Sequence, residues 1–161
     1  MTIGFILNGE DVSVRTEADT RLLDILRETF NLLGAKCGCL TGICGLCSVI
    51  FNGNVAPSCL IPAFRIRGCE IITIEGFSQT DEYQDILRGF SQAGVENCGY
   101  CDTGKILAAE ALLEKNARPS KADITAAFNG IRCRCTEPDR LVEGVLLTAD
   151  IRQRRLYGRS A

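Results

Sequence analysis

Histidine is absent from the chain, and no apolar run is long enough to cross a bilayer. Without histidine there is no Rieske-type cluster ligation, no histidine-containing zinc site, no histidine-bound haem and no imidazole base. An excess of charge of one sign is missing too. Eighteen Lys and Arg against 20 Asp and Glu leave a net charge of −2. That gives no electrostatic reason to expect nucleic acid or an anionic membrane as partner. The N-terminus shows no charged–apolar–small export signal, and internal repeats and low-complexity tracts are lacking. A soluble, cytoplasmic protein is the expectation. A hydrophobic fraction of 46% over 161 residues suits one medium domain or two small ones, and excludes disordered and collagen-like classes.

Cysteine, by contrast, is abundant, at ten residues. With no export signal the thiols are expected to stay reduced, so metal binding outranks a disulfide scaffold. Cys39, Cys44 and Cys47 are spaced C-x4-C-x2-C, with Cys59 downstream. This is the plant-type ferredoxin spacing for a [2Fe–2S] cluster. Such a loop must aim several thiolates inward while its backbone N–H groups approach the sulfides, and Gly38, Gly42 and Gly45 leave room for that.

A second group consists of Cys98 and Cys101 as CxxC, then Cys133 and Cys135 as CxC. One pair precedes an expected helix and the other follows one, so helix ends and the neighbouring Arg132 and Arg134 would favour an anionic thiolate site. A [2Fe–2S] cluster and a structural four-cysteine zinc site both suit this spacing. Cys37 and Cys69 are left over and are expected to be buried thiols acting as small hydrophobes.

Around these groups the pattern changes once. Ile3 to Leu7, the turn Asn8-Gly9 and the alternating Val12 and Val14 predict a β-hairpin. A helix capped by Asp19 or Thr20 follows, carrying Leu22, Leu23, Leu26 and Phe30 and ending before Gly34. Ser48 to Phe51, Asn52-Gly53 and Val55 to Cys59 predict a second hairpin, and Glu70 to Glu75 a last strand. Gly76 to Thr80 reads as a linker. Beyond it helices are expected over Tyr83–Ala93, Lys105–Lys115, Lys121–Phe128 (capped by Ser120 and Asp123) and Leu141–Arg154. The fold class is α+β: a domain over 1–76 with one helix on a mixed sheet, then a four-helix domain over 77–161. Acidic residues along the helices read as solvated faces, and the basic stretch Ile151 to Arg159 as a solvated, frayed end.

Taken together, the two cysteine groups resemble the small iron–sulfur subunit of the molybdenum hydroxylases, the xanthine dehydrogenase and aldehyde oxidoreductase family. Lys36 to Val49 matches the family motif KxGCxxGxCGxCxV, while Cys98-Gly99-Tyr100-Cys101 and Cys133-Arg134-Cys135-Thr136 match its CGxC and CRCT motifs. The resemblance covers essentially the whole chain. It implies a β-grasp, ferredoxin-like N-terminal domain followed by a helical bundle, each with one [2Fe–2S] cluster. One cluster would be held by Cys39, Cys44, Cys47 and Cys59, the other by Cys98, Cys101, Cys133 and Cys135. It further implies a large molybdopterin-binding subunit and an FAD-binding medium subunit as partners, in a dimer of heterotrimers. The chain would relay electrons one at a time between them without touching the substrate.

Departures cluster near the second motif. Asn97 stands where the family has a pterin-contacting Gln, which makes Asn97 the expected pterin contact. Asp102-Thr103-Gly104-Lys105 replaces Thr-Pro-Gly-Met, and Gly130-Ile131-Arg132 and Thr136-Glu137-Pro138 replace Gly-Asn-Leu and Thr-Gly-Tyr. The alternative functions are a stand-alone ferredoxin-like carrier, or a structural subunit with a degenerate or zinc-filled second site.

Overall fold

The structure, a computed structural model, describes residues 1–158. Strands β1 (Thr2–Leu7) and β2 (Glu10–Arg15) form an antiparallel hairpin. At its turn Asn8 and Gly9 take φ of 52° and 86°, the left-handed pair whose twist matches that of the strands. The second hairpin, β3 (Ser48–Phe51) and β4 (Asn54–Pro57), turns the same way at Asn52 and Gly53. β5 (Glu70–Ile72) completes a five-stranded sheet of order β2-β1-β5-β3-β4, parallel only between β1 and β5. One face of it buries Ile3, Phe5, Leu7, Val49 and Ile71 against Leu22, Ile25 and Leu26. Each such side chain contributes about 1.5–3 kcal/mol when fully buried. This is the expected mixed sheet with one helix, the β-grasp arrangement.

That helix is not regular. Leu22–Asp24 forms one α-helical turn, α1, and Ile25–Thr29 continues it as a wider π-wound turn. Four of its residues, Leu22, Leu23, Ile25 and Leu26, are buried, the one-sided apolar stripe of an amphipathic helix. Neither Asp19 nor Thr20 caps it. Arg21 holds the cap position without a side-chain bond, and the Thr20 hydroxyl instead accepts from that of Thr16. Two strand expectations were too long. β4 stops at Pro57, and Cys59 lies in a tight 3₁₀ turn, Ser58–Leu60. β5 stops at Ile72 because the Asn8 side chain captures the Thr73 N–H at 2.8 Å and starts α2, Ile74–Phe77. The stretch read as a linker therefore begins inside a helix.

Four helices follow: α3 (Asp81–Gln92), α4 (Asp102–Lys115), α5 (Lys121–Phe128) and α6 (Pro138–Tyr157). Thr80 caps α3, and Ser120 with Asp123 forms the reciprocal capping box of α5. Phe90, Leu107, Ile124 and Val145 are central to their shared core.

The acidic and basic residues of these helices are not all solvated. Asp85, Glu110 and Arg152 are buried, with Arg152 Nη2 2.6 Å from Glu110 Oε2. Arg155 reaches Asp85 and Glu82, each at 2.8 Å. The frayed end is thus an ordered helix pinned by ion pairs as far as Tyr157, and Arg159 lies outside the described residues. Against expectation, Cys37 is exposed, because the cysteine loop turns outwards there. Cys69 is half-buried, donating to the Arg65 carbonyl at 3.3 Å. No helix among the described residues is long and apolar enough to cross a membrane.

Candidate metal centres

The loop from Cys37 to Cys47 has little regular structure, and its backbone polarity is turned towards its own sulfurs. Thr41 N–H donates to Cys39 Sγ at 3.4 Å, Ile43 N–H also faces that sulfur, and Gly42 N–H faces Cys59. Among the described residues, the N–H groups of Leu40, Gly42, Ile43, Cys44 and Gly45 have no carbonyl partner. Leu40 takes φ of 57°, a conformation a leucine adopts only under local constraint. At Gly38 a Cβ would meet Cys44 Sγ at 2.9 Å, so only glycine lets the chain pass that thiol.

Cys39 and Cys59 are shifted in opposite directions. Hydrogen bonds from Thr41, through both its hydroxyl and its N–H, hold Cys39 down at about 6. Burial pushes Cys59 up to about 11, and the adjacent Cys47 thiol adds to that. Cys44, Cys47 and Cys59 are all buried. The Cys59 thiol becomes a thiolate ligand more readily when positive charge enters beside it, as iron brings. Inward thiols and free N–H donors are the donor set that an iron–sulfur cluster requires.

The second group gathers at the N-terminal end of α4. Cys101 is the residue immediately before that helix and is 2% exposed. The sulfurs of Cys98, Cys101 and Cys135 lie within 4.8 Å of one another. Cys133 Sγ is 3.4 Å from Cys135 Sγ, so all four predicted residues come together. Burial pushes the Cys101 thiol well above its ordinary value. Four convergent thiols beside a helix N-terminus fit an anionic cluster.

Two features of this site were not assigned from sequence. The Glu96 carbonyl accepts from Cys135 Sγ at 3.5 Å, from the Thr136 hydroxyl at 3.2 Å and from Lys105 Nζ at 2.5 Å. Lys105 itself is 0% exposed. Burial favours its neutral form, yet the surrounding thiols and the Asp102 carboxylate outweigh this and raise its pKa. The departure of this tetrapeptide from the family pattern was visible, but nothing in the sequence put Lys105 inside the cysteine cluster.

The two groups touch. Arg132 N–H donates to the Cys44 carbonyl at 3.0 Å, joining the residue before Cys133 to a cysteine of the first loop. Cys44 and Leu46 pack in one cluster with Cys101, Cys39, Cys133 and Cys135. Gly45 and Gly104 allow this approach. A Cβ on Gly104 would lie 2.6 Å from the Gly45 oxygen. On the outer side Asn97, Cys98 and Tyr100 are exposed, and the Asn97 side chain makes no hydrogen bond among the described residues.

Residues 5–69 match the 2Fe-2S iron-sulfur cluster binding domain family, and residues 73–146 match the [2Fe-2S] binding domain family. The chain is 46% identical over 136 residues to the nicotinate dehydrogenase small FeS subunit of Eubacterium barkeri, covering 84% of this chain and 87% of that protein. It is 40% identical to the isoquinoline 1-oxidoreductase subunit alpha of Brevundimonas diminuta, over 86% of this chain and 91% of the relative. Among solved structures, quinoline 2-oxidoreductase from Pseudomonas putida 86 superposes with a TM-score of 0.87 at 31% identity, covering 98% of this chain and 97% of its own. With both cysteine groups assembled on this fold and full-length relatives of that kind, the chain belongs to the small iron–sulfur subunits of the molybdenum hydroxylase family.

Proposed function

We propose that the chain relays electrons one at a time between a molybdopterin-binding large subunit and an FAD-binding medium subunit or another acceptor. In this reading residues 1–76 hold one [2Fe–2S] cluster on Cys39, Cys44, Cys47 and Cys59. Residues 77–161 hold the second on Cys98, Cys101, Cys133 and Cys135. The clusters, when bound, supply one-electron chemistry. The observation that carries the reading is the 3.0 Å hydrogen bond from Arg132 N–H to the Cys44 carbonyl. A lone carrier needs one site near its surface. Two cysteine groups joined backbone to backbone serve passage through the molecule.

The chain's own residues prepare that passage. Gly45 and Gly104 set the approach of the two loops, and Leu46 and Ile131 help exclude water from the space between them. The exposed rim of Asn97, Cys98 and Tyr100 suits a partner that covers the second site. Asn97 offers a free amide, donor and acceptor together, for a pterin held by the large subunit. Ile43 and Leu60, both more than half exposed near the first site, suit a partner on the other side. The complete assembly is a dimer of heterotrimers in this reading.

Selective loss tests the assignment. Cys44→Ser and Cys101→Ser should each remove about half the iron and one of two reduced EPR signals, leaving the other. Loss of both signals, or of neither, in either variant would sink the two-site reading. Asn97→Ala should slow intersubunit electron transfer, and an unchanged rate with unchanged cofactor content would end its assigned role.

A further inference from the structure

A lysine side chain with no exposed surface is costly unless its charge is met by partners. Lys105 meets three. Its Nζ donates to the Glu96 carbonyl at 2.5 Å, lies 3.4 Å from Asp102 Oδ1, and points a third N–H at Cys135 Sγ, 3.9 Å away. The last contact has no need of a salt bridge to explain it. It places a full positive charge, shielded from water, against one sulfur of the second cysteine group. Among the described residues no lysine or arginine donates a hydrogen bond to a sulfur of the first group. Lys36, beside the first loop in sequence, is half-buried and donates to the Gly34 carbonyl at 3.3 Å, not to a sulfur. The other cations beside the second group, Arg132 and Arg134, are exposed, where solvent screens them.

We propose that Lys105 is a positioning residue that raises the reduction potential of the second iron–sulfur site selectively, setting the direction in which electrons pass between the two sites. The proposal rests on the reading that Cys98, Cys101, Cys133 and Cys135 hold a cluster. The physical argument is one of charge. Reduction adds one negative charge to a site already bound by four thiolates, and an ammonium touching one of those sulfurs favours the reduced form over the oxidised one. Lys105 has no exposed surface, so solvent screens its charge less than that of an exposed cation.

Asp102 opposes it. Its carboxylate sits 3.4 Å from the same Nζ and accepts from Gly99 N–H at 2.7 Å within the Cys98–Cys101 loop. Lys105 and Asp102 should therefore move the potential in opposite senses, a signature that a merely structural role would not produce.

The test is an EPR-monitored redox titration of the anaerobically purified full chain with both sites loaded, comparing wild type, Lys105→Met, Lys105→Arg and Asp102→Asn. Lys105→Met should lower the midpoint of the second signal so that, at fixed potential, the reduced-to-oxidised ratio falls about tenfold, about 59 mV for one electron. The first signal should stay in place. Lys105→Arg, which keeps the charge, should restore most of the wild-type value, and Asp102→Asn should raise it. If Lys105→Met fails to load its second site, Asp102→Asn decides alone. A second-site midpoint that does not rise in Asp102→Asn, or a reduced-to-oxidised ratio that does not fall at least twofold in a loaded Lys105→Met, overturns the proposal. A wild-type chain with a single signal would instead overturn the two-site reading beneath it.

Discussion

Adding one methyl group at Gly104 sets two opposite effects against each other, and the structure decides between them. Gly104 lies in the first turn of α4, where alanine is favoured over glycine by about 1 kcal/mol. The new Cβ, however, would meet the Gly45 carbonyl oxygen at 2.6 Å and Ile131 Cδ1 at 2.9 Å. The isoleucine tip can swing aside. The carbonyl cannot, because the Ser48 hydroxyl holds it at 2.7 Å. Ordinary contact needs close to 3.4 Å, so α4 and the first cysteine loop must separate by most of an ångström. Overpacking of this kind costs about 1–3 kcal/mol. The separation of two packed segments puts the cost towards the upper end of that range, and the variant should be less stable by up to about 2 kcal/mol, a fall in Tm of up to roughly 6 °C for a chain of this length. Gly130→Ala is the control, since a Cβ there meets nothing within 4 Å. Thermal scans of the loaded proteins, followed by circular dichroism and by visible absorbance, measure both. A Gly104→Ala protein as stable as wild type, or more so, would show that the two loops are not in contact.

Other variants probe the buried charges and the spare thiols. Arg152→Met leaves Glu110 without its partner and Asp85 with one fewer, and urea unfolding should show a loss of about 3–5 kcal/mol; a loss under about 1 kcal/mol would mean the network is solvated. Burial pushes the Glu110 carboxyl from its ordinary 4.5 up to about 7, against the pull of Arg152. The folded state then binds that proton more tightly than the unfolded one. The stabilisation it gives is complete below about pH 4.5 and is lost as pH rises towards 7. Glu110→Gln should flatten that part of the stability profile, and an unaltered slope would assign it to other groups. Cys37→Ser and Cys69→Ser should keep full iron content, because Cys37 is exposed and Cys69 is bonded to the Arg65 carbonyl; iron loss in the Cys37 variant would reassign the first loop.

The sequence made local features legible and long-range ones much less so. Asn8-Gly9, Asn52-Gly53 and the Ser120–Asp123 capping box act over two to four residues, and each forms where it was read. The cysteine spacing was equally clear, because a loop that wraps sulfurs needs fixed intervals and glycines. By contrast, the π-wound turn at Ile25–Thr29 left no mark in the apolar spacing of Leu22, Leu23, Ile25 and Leu26, which an ordinary α-helix shares. β5 ends early because of Asn8, which is 65 residues distant in sequence. The burial of Lys105, Glu110 and Arg152 depends on which helix faces which. Composition marks such residues as charged, and charged residues are usually exposed. Helical periodicity could have raised suspicion at Glu110, which interrupts the apolar run from Ile106 to Leu113 in the middle of α4. The contact between Arg132 and Cys44 joins residues eighty-eight apart and left no local mark.

A chain that holds two joined iron–sulfur sites must show both in its metal content and in its redox signals. Iron and sulfide analysis of the anaerobically purified protein, with EPR after dithionite reduction, tests it most directly. About four irons and four sulfides per chain and two distinct reduced signals are expected. About two irons accompanied by zinc, or by an empty second site, with a single signal would contradict it.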